Sequence, residues 1–392
     1  MIVNEPRFII LFSATLAAFF LVPVRWRYSV LIVSGLVFYG WYSRAFLALV
    51  IGLILLTYWA SGRIGIWINI AALVGTMVYF KLQGGVGVVT GAVTAAEIAQ
   101  SLAFPLGLSF LTFELIHFSI ERQRGKIPHA SLAGVAAFAL YFPCRMAGPI
   151  KRYQPFDDSV RTARWSIDQC YQGLVRILWG FVKKVVLADV LVLIASELDY
   201  AKTPLHIWKG LLGYSLYLYL DFSAYSDIAI GLSHILGVRV PENFRLPYLS
   251  RNIREFWQRW HISLSSWLGD YVFLPLGKWL SHSRVRFRPP LVAVISYLVT
   301  MTVCGLWHGP SVNFMLWGLY HGLLLSLYAV STLSRFSLSR WAPPWRIVRL
   351  FGRLLSPAVT FVTITVGWAL FAMPAPQALN LLGILLGVKR SG

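Results

Sequence analysis

Residues 289–310 read PPLVAVISYLVTMTVCGLWHGP, an uncharged apolar run that ends in a histidine followed by glycine and proline. A helix needs about 20 apolar residues to cross a bilayer, which is close to the length of this run. An ionisable side chain among such residues is energetically costly and tends to mark a functional position. The stretch therefore predicts a membrane-spanning helix that presents His308 at the point where Gly309 and Pro310 end it.

Apolar runs of similar length recur along the whole chain. Of its 392 residues, 57% are hydrophobic and 13% are charged. That charged share is about half of what soluble domains carry. Besides the run at 289–306, spans are expected near residues 8–24, 28–44, 45–61, 65–81, 103–120, 131–147, 172–197, 208–236, 312–332, 356–372 and 377–388. This pattern predicts an all-α polytopic membrane protein with about 10–12 transmembrane or re-entrant helices.

The formal net charge of +20 comes from basic residues in short stretches between the apolar runs. Such a distribution is typical of cytoplasmic loops that meet anionic headgroups, so we predict membrane lipids as partners and exclude nucleic acid. Arg25 and Arg27 follow the first span, which places the N-terminus outside the cytoplasm. Lys151 and Arg152 suit headgroups or the phosphate of a carrier protein, and headgroups are favoured.

We predict one membrane domain over residues 1–392, with N-terminal spans over 1–100, a catalytic core over 101–332 and C-terminal spans over 333–392. Within the core, residues 241–288 mix charged and aromatic side chains and are too polar to cross lipid. Irregular backbone is tolerated at membrane depth only where it is buried in protein or lines a cavity. This segment is therefore predicted to form re-entrant or interfacial helices around a central chamber.

A second histidine lies in this segment, in Arg259-Trp260-His261, and 308 − 261 = 47 residues separate it from His308. Histidine titrates near neutral pH, so it can take a proton from a hydroxyl and return one to a leaving group. For His308 the pattern suggests a general base that activates a hydroxyl for attack on a thioester, with a structural histidine as the alternative. His261 is a second catalytic histidine, a group that orients the substrate, or a structural anchor.

Two further pairs of polar side chains lie within apolar runs. Asp221 and Asp227 need partners there, and ion pairs with the arginines of 245–259 are favoured over a general-acid role. Glu114 and His117 share one face of a helix and are expected to brace neighbouring helices rather than to line a tunnel.

The three cysteines are expected to be small buried apolar side chains, and His321 is not expected to carry out chemistry. Cys144, Cys170 and Cys304 have spacings that suit neither a disulfide framework nor a metal site, so no bound metal is expected. His321 follows His308 by 321 − 308 = 13 residues, which does not place the two on one helix face. It is expected to have a structural role or to support the catalytic groups from behind without taking part in the chemistry.

Several strings resemble the membrane-bound O-acyltransferase family. They are DFSAYSDIAIGL (221–232), PENFRLPYLSRNIREFWQRWHISLSSWL (241–268), DYVFLPLG (270–277) and GLWHGPSVNFMLWGLYHG (305–322), with PLGLSFLTFE (105–114) and AGPIKRY (147–153) upstream. The resemblance covers nearly the whole chain. The upstream strings also resemble the bacterial branch, which includes alginate O-acetyltransferase subunits and the D-alanyl transfer protein of teichoic acid synthesis.

This resemblance implies a horseshoe of helices around a chamber, with His308 as the essential histidine of the family and His261 as its second histidine. The side chains expected to line the chamber or contact substrate are Asp221, Tyr225, Asp227, Asn243, Arg254, Trp257, Arg259, Trp307, Asn313 and His321. No tightly bound cofactor is implied, because the acyl thioester, acetyl-CoA or an acyl carrier protein, is a donor substrate.

The implied reaction passes an acyl group from the cytoplasmic donor to hydroxyls of an extracytoplasmic polysaccharide, directly or through an exported SGNH-type acyltransferase. The implied location is the bacterial cytoplasmic (inner) membrane, which the chain crosses several times. An acetyl group is favoured, and a D-alanyl transferase for teichoic-acid-like polymers is the alternative. A transporter or channel is the alternative of another class.

Overall fold

The structure is a computed structural model that describes residues 2–42, 44–60, 62–89, 105–283, 287–333 and 346–388. Within these ranges the chain is almost entirely helical and forms no strand. The predicted all-α polytopic class is therefore confirmed.

The helices follow the apolar runs of the sequence. In chain order they are α1 (Pro6–Leu21), α2 (Arg27–Tyr42), α3 (Arg44–Trp59), α4 (Gly62–Val89), α5 (Leu108–Gln123), α6 (Leu132–Leu140), α7 (Tyr153–Thr162), α8 (Ile167–Phe181), α9 (Asp189–Ala195), α10 (Pro204–Ile235), α11 (Ile253–Arg259), α12 (Ile262–Leu268), α13 (Leu274–Ser281), α14 (Pro289–His308), α15 (Val312–Leu333), α16 (Arg346–Ala372) and α17 (Ala375–Leu385). Two π-helical segments, Val182–Ala188 and Gly269–Phe273, continue α8 and α12.

Four helical segments of the described chain are long and apolar enough to cross a membrane: Ile64–Gln83, Pro289–His308, Val312–Leu333 and Leu354–Ala372. Shorter apolar helical segments, of 10–17 residues, are Pro6–Leu21, Phe46–Trp59, Leu132–Cys144 and Ala375–Leu385. The third of these combines α6 with the short 3-10 turn that follows it.

The predicted span at 131–147 is wrong in length. Helix α6 contains nine residues and ends at Leu140, and a short 3-10 turn follows at Phe142–Cys144. Pro143 lacks a backbone N–H and its ring disfavours a continued α-helix, which explains the early end. At 1.5 Å per residue, α6 is about 14 Å long and cannot cross the hydrocarbon layer by itself.

The chain divides into two compact units. Unit 1 comprises Met1–Phe181 and Ala224–Pro241, and unit 2 comprises Val182–Ser223 and Glu242–Gly392. The division falls within the long helix α10. Both predicted catalytic histidines belong to unit 2.

The buried centre of unit 1 contains an ion-pair cluster around Glu114 of α5. Its carboxylate accepts a hydrogen bond from Arg145 Nη2 at 2.9 Å and pairs with Lys151, and all three side chains are at most 2% exposed. One turn along α5, His117 Nε2 accepts the backbone N–H of Tyr153 at 2.9 Å. The bracing role predicted for Glu114 and His117 is therefore confirmed.

The headgroup contact predicted for Lys151 is wrong. The side chain is fully buried because a lysine can leave water where a carboxylate such as Glu114 compensates its charge. Of the three cysteines, Cys144 and Cys304 are buried as predicted and Cys170 is half-buried.

Helices α14 and α15 of unit 2 form a tight hairpin that sets the position of His308. A Cβ atom on Gly305 would lie 2.1 Å from the carbonyl oxygen of Phe314, and one on Gly318 would lie 2.2 Å from that of Met301. Because the obstructing atoms belong to the backbone, only glycine permits this approach. The hairpin brings the rings of α15 beside the last turn of α14.

Candidate active site

His308 is the last residue of α14, and Gly309 continues in an extended conformation, so the predicted helix end is confirmed. The histidine is half-buried in an aromatic cage. Its ring centroid lies 4.6 Å from that of Trp307 and 5.3 Å from that of Trp317. On another side of the imidazole, the ring centroid of Phe371 in α16 lies 4.9 Å from that of His308. The cage limits the orientations of the imidazole while leaving part of the ring accessible.

His261 occupies a strained turn between α11 and α12. Its φ of 42° lies in the left-handed region, which residues other than glycine adopt rarely. Asn243 holds this turn on its C-terminal side: its carbonyl oxygen accepts the N–H of Ile262 at 2.9 Å, and its amide oxygen accepts the hydroxyl of Ser263 at 2.6 Å. Such strain persists only where surrounding contacts fix it, and it concentrates at functional positions.

The imidazole of His261 is buried, with 2% of its surface exposed. It lies 4.7 Å from the ring of Phe222 and 6.3 Å from that of Trp307, measured between centroids. Burial lowers the pKa of His261 to about 3. The ring is therefore neutral at physiological pH.

Trp307 connects the two motifs. Its indole lies beside the ring of His261 and beside the ring of His308, so both histidines are neighbours of the same side chain. The structure thus places both histidines beside one indole, although they are 47 positions apart in the sequence.

His321 lies deeper in the same aromatic cluster. It is fully buried, with its ring 4.9 Å from Trp317 and 5.3 Å from Trp257. Within the described residues, neither of its ring nitrogens has a hydrogen-bond partner, and the same holds for the indole nitrogens of Trp257 and Trp317. Buried polar atoms left without a partner cost about 1–3 kcal/mol each, so these side chains lower the stability of the cluster.

A cavity of about 360 Å³ adjoins this cluster in unit 2. Its volume suits a small-molecule ligand and most of its wall is apolar. The predicted site residues Arg254 and Trp257 line it. The other lining residues are Gln258, Ile262, Ser265, Ser266, Leu268, Gly269, Phe273, Tyr297, Thr300, Met301 and Leu325.

Two other predicted site residues of unit 2 form ion pairs. The Arg259 guanidinium pairs with Glu255 at 2.5 Å, one turn earlier on α11. Asp221 pairs with Lys184 of the first π-helical segment. Asn313 lies half-buried in the first turn of α15.

Tyr225 and Asp227 belong to unit 1. Asp227 pairs with Arg176 of α8 at 3.0 Å, and backbone N–H groups at Met146 and Ala147 hydrogen-bond to the Tyr225 hydroxyl. The ion pairs expected for the two aspartates therefore exist. The prediction that arginines of 245–259 supply the cations is wrong, because Lys184 and Arg176 are the side chains that face α10.

A family model described as MBOAT, the membrane-bound O-acyltransferase family, matches residues 95–343. The chain belongs to this family. It is a membrane protein and an acyltransferase, and the resemblance carried by its motifs is confirmed.

Similar proteins are named for acyl transfer to several different polymers. A probable alginate O-acetylase AlgI of Pseudomonas syringae pv. tomato is 33% identical over 380 residues, which cover 91% of this chain and 69% of that protein. A teichoic acid D-alanyltransferase of Bacillus subtilis is 32% identical over 275 residues, 68% of each chain. A peptidoglycan O-acetyltransferase of Helicobacter pylori is 27% identical over 413 residues, covering 94% and 75%.

Sequence reasoning missed the aromatic residues that cage the histidines of this acyltransferase. They are Phe222, Trp317, Trp368 and Phe371. A usable signal was present for two pairs: Trp317 and His321 are four residues apart, and Trp368 and Phe371 are three apart, so each pair shares one helix face. Across the described ranges, no group of three or more histidine, cysteine, aspartate or glutamate side chains could hold a metal ion.

Proposed function

We propose that this protein transfers an acetyl group from a cytoplasmic thioester to hydroxyls of an extracytoplasmic polysaccharide. The observation that carries the proposal is the meeting of His261 and His308 at Trp307 in a family of acyltransferases. The acetyl group is favoured because the alginate O-acetylase relative aligns with 91% of the chain and the D-alanyltransferase relative with 68%. The bacterial inner membrane is the location at which such a donor and such an acceptor meet.

His308 acts as the general base in this account. Its imidazole takes the proton of an acceptor hydroxyl, and the oxygen forms a bond to the thioester carbonyl carbon. When the carbon–sulfur bond breaks, the protonated His308 returns the proton to the departing thiolate. The products are an ester and a free thiol. Partial exposure of His308 supports this role, because a base must reach the hydroxyl that it deprotonates.

His261 acts as the orienting histidine. A group whose pKa is about 3 is a poor base at neutral pH, but the neutral ring still offers one donor and one acceptor. The turn pinned by Asn243 keeps that ring at a fixed angle beside Trp307. Such positioning contributes to the rate by holding the reacting groups in line.

The donor thioester enters the 360 Å³ cavity that Arg254 and Trp257 line. Acetyl-CoA and an acylated carrier protein both present the thioester at the end of a narrow, flexible arm, which a cavity of this volume can admit. The donor is consumed as a substrate, so the reaction requires no tightly bound cofactor. The acceptor is the polysaccharide itself or an exported SGNH-type acyltransferase that relays the group.

Transfer of D-alanine to a teichoic-acid-like polymer is the second candidate. The Bacillus subtilis relative is named for that reaction and is 32% identical to this chain. Both reactions use a thioester and an acceptor hydroxyl, so His308 has the same task in each.

The test is mass spectrometry of surface glycans from cells with the wild-type gene, a deletion, and the deletion complemented with His308→Ala or His206→Ala at equal membrane levels. His206 is an exposed histidine of unit 2 and serves as the matched control. We expect an acetyl ester in the wild type and with His206→Ala, and none in the other two strains. A D-alanyl ester with this distribution would establish the second candidate. No ester difference between wild type and deletion would contradict both candidates.

A further inference from the structure

Unit 1 contains a polar cavity of about 580 Å³ that the acyl-transfer account does not use. It lies where α7 ends, α8 begins and the chain leaves α10. The side chains that matter for its chemistry are Arg164, Ser166, Gln169, Gln172, His234 and Arg239. No aspartate or glutamate is among its lining residues.

Arg164 and Arg239 are the cations of this cavity. Both are exposed, and within the described residues neither side chain has an ion pair or hydrogen bond. Two other arginines of unit 1 do have partners: Arg27 donates a hydrogen bond to the carbonyl of Val160, and Arg161 pairs with Asp157. Two unneutralised guanidinium groups at one cavity favour an anion, and their planar forks match the oxygens of a phosphate.

A backbone hydrogen bond and a helix start define two walls of this cavity. The N–H of Arg239 donates to Ser159 Oγ at 3.0 Å, which fixes the start of the segment after α10. On the other wall, α8 begins at Ile167, and its first N–H groups add positive potential. The nearest carboxylate of that helix, Asp168, does not line the cavity and accepts a hydrogen bond from Gln172 at 2.8 Å.

The cavity lies at the end of unit 1 that carries the loop after the first span. Arg27, at the start of α2, donates a hydrogen bond to Val160 near the end of α7, so the start of α2 and the end of α7 lie on the same side of unit 1. The cations of that loop indicate the cytoplasmic side. Phosphate esters and anionic lipid headgroups are both abundant there.

We propose that this cavity binds a phosphate group held between Arg164 and Arg239. The phosphate belongs either to a soluble phosphate ester of the cytoplasm or to an anionic lipid headgroup. The proposal is independent of the acyl group and the acceptor, and binding is measured without turnover.

The test uses the full chain in phosphatidylcholine nanodiscs, with inorganic pyrophosphate as the soluble probe in calorimetric titration. The variant is Arg164→Gln with Arg239→Gln. Its control is Arg7→Gln with Arg25→Gln, which removes two exposed cations of unit 1 that do not line the cavity. In parallel, native mass spectrometry measures retention of phosphatidylglycerol by each protein. The unfolding temperature of the double variant must match that of the wild type. If the double variant is less stable, the single variant Arg164→Gln takes its place.

A loss of at least tenfold in pyrophosphate affinity for the cavity variant, with the control within twofold, assigns the site to a soluble phosphate. Unchanged pyrophosphate binding with a selective loss of phosphatidylglycerol retention assigns it to a lipid headgroup. If neither measurement changes, or if the control variant changes equally, the proposal is wrong.

Discussion

The ring of His308 lies edge-on to the indole of Trp317, with centroids 5.3 Å apart and planes at 89°. The two residues belong to the two helices of the α14–α15 hairpin. Gly305 and Gly318 allow these helices to pack closely, so the two rings come into contact. On the next turn of α15, His321 contacts the same indole. The candidate active site is therefore a small cluster of rings whose order depends on close helix packing.

Replacement of His321 by leucine separates a functional role from a structural one. Because both ring nitrogens are buried without a partner in the described chain, their loss should leave stability unchanged within about 1 kcal/mol or raise it. If a polar atom of the substrate or a water occupies this region, His321→Leu should lower kcat at least tenfold. Thermal unfolding and acyl transfer are compared with those of His206→Leu. Full activity of His321→Leu would show that the ring only fills space.

Addition of one methyl group at Gly318 should open the hairpin. The new Cβ would lie 2.2 Å from the backbone oxygen of Met301, so Gly318→Ala should destabilise the protein by about 1–3 kcal/mol. Gly277→Ala is the control, because its nearest heavy atom is 3.6 Å away and alanine favours a helix. Equal unfolding temperatures for the two variants would contradict the close approach of α14 and α15.

The pH dependence of the reaction distinguishes the two histidines. The pKa of His261 is lowered to about 3, so this ring gains its proton only in strong acid. His261→Gln should therefore reduce kcat but leave the midpoint of any acid limb between about pH 5 and 8 unchanged. The pH–rate profiles of wild type and variant test this. Disappearance of the limb in His261→Gln would instead make His261 the titrating base.

The buried cluster of unit 1 should be essential for folding. Glu114→Gln leaves the charges of Arg145 and Lys151 buried without their carboxylate, which should cost about 3–5 kcal/mol. Glu197→Gln breaks the solvent-exposed pair with Lys209 and should cost about 0–1 kcal/mol. Unfolding in detergent measures both. Similar losses for the two variants would mean that the cluster does not compensate charge as described.

The helices could be predicted from the sequence because long apolar runs determine them almost alone. The run at 289–306 became Pro289–His308, and the run at 312–332 became Val312–Leu333. The run at 131–147 predicted too long a helix, because it contains Pro143. The proline ring interrupts an α-helix but is itself apolar, so an apolar run does not reveal the interruption.

The two histidines could be chosen from the sequence, but their surroundings could not. Nothing in the chain indicates that Lys184 and Arg176, rather than later arginines, face the aspartates of α10, since ion-pair partners depend on which helices are neighbours. The positive φ of His261 also lacks a sequence signal, because glycine or asparagine is usual in that conformation. The division into 1–100, 101–332 and 333–392 stays a prediction.

The rate of acyl transfer by purified His308→Ala in proteoliposomes tests the central claim most directly. Thioester donor and acceptor are held at saturating levels, and His206→Ala with a matched unfolding temperature is the control. A positioned general base contributes about 10²–10⁴-fold, so His308→Ala should lose at least a hundredfold in kcat while the control keeps wild-type activity. Retention of more than about a tenth of the wild-type rate by His308→Ala would contradict the assignment of His308 as the base.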